Sequence, residues 1–174
     1  MVLARYDELM RSLTSRLAGT PRPNAGVRDP AEFVLERLDG TPARLADYRG
    51  KVVVMDFWAT WCGPCRLEGK LVERVLETFR NNPSVAFLAV NVDEDRSGVP
   101  EFLRQEKWTA PVVYARGLDA LMGVNALPTV MILDPQGRVA FRQVGLDPRS
   151  FVSTLETKVR EILARPAPVA AASH

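Results

Sequence analysis

Two thiols occur in the 174 residues, and both lie in Trp61-Cys62-Gly63-Pro64-Cys65. A thiolate is both the nucleophile and the leaving group of disulfide exchange, so two thiols one helical turn apart can take up and release electrons as a pair. The apolar run Val52-Val53-Val54-Met55-Asp56-Phe57 leads into the motif, and helical periodicity follows it. That order sets the first thiol where a strand gives way to a helix, at the positive end of the helix dipole, which favours a thiolate. Cys62 is therefore the expected exposed nucleophile, its pKa lowered from ~8.5 to about 7 or below. Cys65, one turn in and more buried, is the expected resolving thiol. The alternative is an inert structural disulfide, but a loop this short contributes little closure entropy.

The elements that must position these thiols follow from periodicity. Residues 1–18 carry Leu3, Tyr6, Leu9, Met10, Leu13 and Leu17 at helical spacing, and Gly19 to Pro30 reads as a linker. An N-terminal accessory helix is expected there, either packed on the domain or engaged with a partner. Glu32–Leu38 reads as a short strand before an Asp39-Gly40 turn, and Leu45–Gly50 as a helical turn stopped by glycine. Lys51–Phe57 is apolar on both faces, as a central parallel strand covered by helices is. From Pro64, the positions Leu67, Leu71, Val72, Val75, Leu76 and Phe79 mark an amphipathic helix that Asn81-Asn82-Pro83 ends.

Val85–Val92 is a second apolar strand, and Val99–Lys107 and Leu118–Met122 read as short helices. Thr129–Leu133 and Arg138–Gln143 flank Asp134-Pro135-Gln136-Gly137, a turn short enough to force antiparallel pairing. Phe151–Leu163 closes the domain with Phe151, Leu155, Val159 and Ile162 inward, and Arg165–His174 is a Pro/Ala-rich tail expected to be disordered. The order β, βαβ, α, β-hairpin, α predicts an α/β fold, a mixed central sheet with helices on both faces. The expected organisation is an accessory helix and linker over 1–27, one domain over 28–165 and a tail over 166–174.

Hydrophobic residues make up 47% and charged residues 25% of the chain, proportions that suit one globular domain with a proper core. The 23 basic residues are scattered among 21 acidic ones, which leaves no electrostatic footprint for nucleic acid. Two cysteines and the single histidine, His174, cannot complete a closed zinc site, so no metal is expected. No apolar run reaches the length of a membrane span. Arg5, Asp7, Glu8 and Arg11 fall where a signal peptide needs its apolar stretch, so a true start at Met1 predicts a cytoplasmic protein.

The stretch Val52 to Cys65 resembles the thioredoxin superfamily. Leu127-Pro128-Thr129 matches that superfamily's second hallmark, a cis-proline facing the dithiol, and Gly145 matches a third position. Three further features make the chain most similar to the extracytoplasmic TlpA/ResA-type proteins, over roughly residues 28–165. They are the lead-in Leu38-Asp39-Gly40 with Leu45 to Lys51, the acid Glu68 three residues after Cys65, and the insertion ahead of Leu127. The resemblance implies a thioredoxin fold and a protein thiol–disulfide oxidoreductase with no bound cofactor beyond the Cys62–Cys65 disulfide. Gly63-Pro64 accompanies reducing members, which implies a potential on the order of −250 mV. Substrate is expected against Trp61, Gly63, Pro64, Leu127, Pro128 and Thr129, with the Leu127 backbone pairing to an extended segment. Trp58 and Trp108 are expected to serve in packing.

Two departures from the superfamily concern acids. Asp56 stands where many TlpA/ResA-type proteins have Asn, and the lysine that accompanies this Asp in thioredoxins aligns with Ala89. A buried Asp56 with a raised pKa is expected to take the proton of Cys65; the alternative is a carboxylate satisfied by backbone donors. Glu68 is expected to share that role, to tune the thiols, or simply to lie solvated on the helix surface.

The implied partners are disulfide-containing proteins in extended or loosely folded form, such as apocytochrome or other envelope proteins, and an upstream protein electron donor. The resemblance places such a protein, as a monomer, in the periplasm or elsewhere outside the cytoplasm. A general cytosolic thioredoxin and a redox-inert interaction module are the competing readings.

Overall fold

The computed structural model describes residues 24–166. The accessory helix expected over 1–18 and the tail beyond Pro166 lie outside the described residues. Strands β1 (Val34–Arg37), β2 (Pro42–Arg44), β3 (Val52–Trp58), β4 (Val85–Asn91), β5 (Val112–Tyr114), β6 (Thr129–Leu133) and β7 (Val139–Val144) form one sheet in the order β2-β1-β5-β4-β3-β6-β7. Helices α1 (Gly63–Phe79), α2 (Val99–Glu106), α3 (Leu118–Leu121) and α4 (Phe151–Leu163) connect or close it. Short 3-10 turns occupy Pro30–Glu32 and Leu45–Tyr48.

β3 lies parallel to β4 and antiparallel to β6, β4 lies parallel to β5, and β7 closes the hairpin with β6, so the sheet is mixed, as its sequence predicts. Strands β2 and β5 go beyond the sequence expectation. Each has three residues, too few for a period, and each is defined by its partners: β5 by β4 and β1, β2 by β1.

All seven side chains of β3 are buried, as a β-branched central strand covered on both faces requires. Val53, Met55 and Phe57 point into one core with Leu35, Leu88, Val90, Val113, Leu118 and Met131. Val52 and Val54 point the other way, onto α1 and α4. Trp58, on that same second face, packs with Phe102 of α2. The β6–β7 turn is held by Asp134, whose Oδ1 accepts the N–H groups of Gln136 and Arg138, while Gly137 supplies the left-handed residue at φ +80°. These connections bring the C-terminal end of β3, the start of α1 and the loop before β6 to one end of the sheet.

Candidate active site

Cys62 is the N-cap of α1 and Pro64 occupies the first turn, where its missing N–H costs nothing. Cys62 and Cys65 form a disulfide with Cα atoms 5.3 Å apart. The Cys65 N–H donates to Cys62 Sγ at 3.3 Å, so an orphan donor of the helix start already points at the first sulfur. Cys65 is 1% exposed and Cys62 only 6%, which corrects the expectation of an openly exposed nucleophile. Gly63, Pro64 and Trp61 are the exposed members of the motif, Trp61 at 73%.

The turn before Cys62 is anchored by residues that the sequence alone did not single out. Asp93 Oδ2 accepts the Thr60 N–H at 2.9 Å, and its Oδ1 accepts the Thr60 hydroxyl at 2.9 Å. Asn91 Nδ2 in turn donates to Asp93 at 2.7 Å. The visible signal was a polar Asn-x-Asp pair at the end of the apolar β4.

Facing the dithiol, the Leu127–Pro128 peptide is cis. The Pro128 carbonyl accepts the N–H of Gly145, which has a φ of +78°, at 2.8 Å. Thr129 is buried, and its hydroxyl donates to the Ala126 carbonyl at 2.7 Å, so this side chain holds the loop from beneath. Neither the N–H nor the C=O of Leu127 bonds to another backbone group among the described residues. Arg142 of β7 reaches under the same loop and donates to the Gly123 carbonyl at 3.0 Å and to that of Met122, at the C-terminal end of α3.

A cavity of about 220 Å³ lies between Trp61 and the segment Val124–Leu127, and one of about 520 Å³ flanks Trp61 toward Asp93, Glu94 and Asp95. A further cavity of about 490 Å³, lined by Gly50, Ser84 and Pro135, lies at the other end of the sheet and touches none of the candidate residues.

Beneath the disulfide, Asp56 is 2% exposed and Glu68 1%, so Glu68 is a core side chain and the solvated alternative is overturned. Helix geometry explains it: positions 65, 68, 69, 72 and 75 make one buried face of α1, which leaves Leu67, expected inside, 46% exposed. Burial pushes the Asp56 carboxyl up to about 7, opposed by the polar influence of the neighbouring Glu68 carboxyl. Burial, and then the Asp56 charge, push Glu68 up to about 10. The two titrate as a pair. Asp56 Oδ1 and both Glu68 oxygens accept no protein hydrogen bond, so the carboxyls satisfy one another only when a proton sits between them. In-register with Asp56 on β4 is Ala89, so no cation stands there.

Trp58, Phe102 and Trp108 stack and edge together at centroid distances of 4.7–5.4 Å. Trp108 lies on Gly69 of α1 so closely that a Cβ there would overlap its ring. Arg66 and Lys70 of α1 pair with Glu106 of α2, and Arg66 covers the Phe102 ring at 4.8 Å. Among the described residues, no group of three His, Cys, Asp or Glu side chains is placed to hold a metal. No described helix is long and apolar enough to cross a membrane.

A Cys-x-x-Cys disulfide at a helix start, faced by a cis-proline in this mixed sheet, defines a thioredoxin-fold dithiol protein. The Redoxin family model matches residues 18–159, and the chain belongs to that family. It is 39% identical over 110 residues to the thiol-disulfide oxidoreductase ResA of Geobacillus thermodenitrificans, covering 62% of this chain and 63% of that one. ResA of Bacillus subtilis is 36% identical over 114 residues, 64% of this chain and 63% of the relative. The alignments thus span a little under two thirds of these relatives' length. A solved structure of a candidate thiol:disulfide interchange protein DsbE from Chlorobium tepidum superposes with a TM-score of 0.69 at 30% identity, over 76% of this chain and 93% of that one.

Proposed function

We propose that this protein is a thiol–disulfide oxidoreductase that works as a disulfide reductant, with residues 28–165 as its catalytic domain. The observation that carries this reading is the Cys62–Cys65 disulfide capping α1 opposite Leu127-Pro128. In the reduced form, the Cys62 thiolate attacks one sulfur of a substrate disulfide and the other leaves as a thiolate, which gives a mixed disulfide. Cys65 then attacks Cys62 Sγ and the second substrate thiol departs. Two electrons have moved to the substrate, and the Cys62–Cys65 disulfide is the oxidised product.

The helix-start N–H that reaches Cys62 Sγ favours the first thiolate. Cys65 is buried, so its proton needs an internal acceptor. Asp56 and Glu68 supply it: with one proton between them, the pair offers a carboxylate oxygen on the face of α1 that carries Cys65. Losing a lysine at Ala89 raises the Asp56 pKa further in this reading.

Trp61, Gly63 and Pro64 on one side and Leu127 and Pro128 on the other bound the substrate surface, with Thr129 as the brace beneath. The unpaired N–H and C=O of Leu127 suit an extended, loosely folded protein segment. Work outside the cytoplasm, fed by a protein electron donor, fits the ResA relatives. Insulin reduction and equilibration against glutathione or dithiothreitol test the assignment. A potential on the order of −250 mV is expected, and one close to that of DsbA, about −120 mV, overturns the reductant reading.

A further inference from the structure

Among the described residues, five buried side-chain polar atoms have no hydrogen-bond partner: Asp56 Oδ1, Glu68 Oε1 and Oε2, and the indole Nε1 of Trp58 and of Trp108. Buried polar groups are nearly always paired, so each such atom calls for a physical account. These five are neighbours. Asp56 and Trp58 are alternate residues of β3 and point to one face. Glu68, one turn after Cys65 on the buried face of α1, is close enough to Asp56 that each carboxyl shifts the ionisation of the other. Trp108 covers Gly69, the next residue of α1, with its Cζ2, Cε2 and Cη2 atoms, and Nε1 is bonded to Cε2. The indole N–H of Trp108 therefore lies over the turn of α1 that carries Glu68. The two indole rings meet at 4.7 Å between centroids.

Two donors and three acceptors are thus gathered in one patch without a direct bond between them. A proton shared by Asp56 and Glu68 satisfies the carboxyls in part and leaves both indoles unpaired. Three of the neighbouring positions are small: Gly69 has no side chain, and Ala89 and Ala110 line the same cluster. A larger residue at Ala89 would lie against Asp56.

We propose that this patch is an internal hydration site, in which ordered water accepts from the Trp58 and Trp108 N–H groups and donates to the Asp56 and Glu68 oxygens. Such water spans separations that a direct hydrogen bond cannot, and it supplies the donors that the ionised pair lacks. Trp108 is only partly buried, but its Nε1 and the other four atoms are closed off from the surface. Its part in turnover rests on the pair's role as acceptor of the Cys65 proton; the hydration itself does not. The groups facing the patch are Asp56 from β3 and Cys65 and Glu68 from α1. Ala89 of β4, Val130 of β6, Phe102 of α2 and Trp108 bring no charge. Arg66 and Lys70 both pair with Glu106, and Glu73 is engaged by Thr109 and Ala110.

Two measurements on the intact chain decide the matter. In crystals ordered enough to show internal water, density is expected within hydrogen-bonding reach of Trp108 Nε1 and of a Glu68 oxygen. A dry patch, or a direct indole–carboxylate bond, overturns the proposal. In solution, the Trp108 indole N–H resonance is expected to shift with the lower midpoint of the carboxyl pair, followed through side-chain carbonyl signals. Trp108→Phe keeps an aromatic, though smaller, ring and removes the donor, and should raise that midpoint by about half to one pH unit. An unmoved midpoint together with an unresponsive indole signal overturns the proposal. If Trp108→Phe does not fold, the density and the wild-type indole titration still decide. Insulin reduction by the wild type is read separately: its failure counts against the oxidoreductase and leaves the hydration site standing.

Discussion

β3 and α1 pass each other in two kinds of company. Toward the start of β3, Val52 and Val54 meet Val72, Val75 and Phe79, and α4 adds Phe151, Leu155, Val159 and Ile162. Toward its end, the same face of the strand presents Asp56 and Trp58 to Cys65, Glu68 and Gly69, covered by α2 and Trp108. Alternation along the strand and the turn of the helix are unchanged from one half to the other; only the side chains differ. The lower half is a dry apolar core. The upper half buries two carboxyls, two indole N–H groups and two sulfurs, at a cost in stability that the lower half must offset. Fold and chemistry thus occupy opposite ends of one strand–helix contact.

The sharpest way to break this division is to exchange the phenotypes of the two ends. Cys62→Ser should abolish insulin reduction, while the reduced variant unfolds within about 0.5 kcal/mol of the reduced wild type. Residual turnover would mean that the upper half is not the reactive end. Leu155→Ala should do the opposite and lower stability by about 3 kcal/mol in urea, with the pH profile of thiol alkylation unchanged. At the boundary, Gly69→Ala pushes a methyl into the Trp108 ring and should lose about 2 kcal/mol, seen as an altered tryptophan emission as well as a lower midpoint.

Glu68→Gln should have a smaller effect of opposite sign. The folded pKa values of Asp56 and Glu68, about 7 and about 10, stand above their unfolded values. Their contribution to folding is therefore full below about pH 4 and is lost as pH rises through the folded values. The variant should gain roughly 1–2 kcal/mol over wild type at pH 8 and nothing at pH 4. A gain that persists at pH 4 would show that ionisation is not its source. Arg142→Ala, which frees the Met122 and Gly123 carbonyls, should cost least, roughly 0.5–1 kcal/mol, and weaken substrate binding more than it slows chemistry.

The two halves were not equally legible in the sequence. Val52–Phe57 and the periodic residues Val72, Val75 and Phe79 announced the dry half, because burial of a regular element writes its period into the chain. The dithiol was legible from its spacing, and the cis-proline and Gly145 from the resemblance. Glu68 was not legible as a core residue: the apolar Leu67 beside it suggested a different inner face, whereas the face that carries Cys65, Val72 and Val75 is the one that goes in. The roles of Asn91 and Asp93 were also hidden, since they arise where parallel neighbours end together. β5 escaped because three residues after a proline carry no period.

One carboxylate on the outside of α1 gives the roof of the upper half its own mechanics. Glu73 takes the N–H of Thr109, the hydroxyl of Thr109 and the N–H of Ala110, so the segment that carries Trp108 is strapped to the helix that carries the dithiol. Roof and dithiol helix are thereby joined by three hydrogen bonds to one side chain. Thr109 and Ala110, though outside any helix or strand, should exchange their amide hydrogens at the pace of α1, and their protection should fall together with that of the helix when the protein opens.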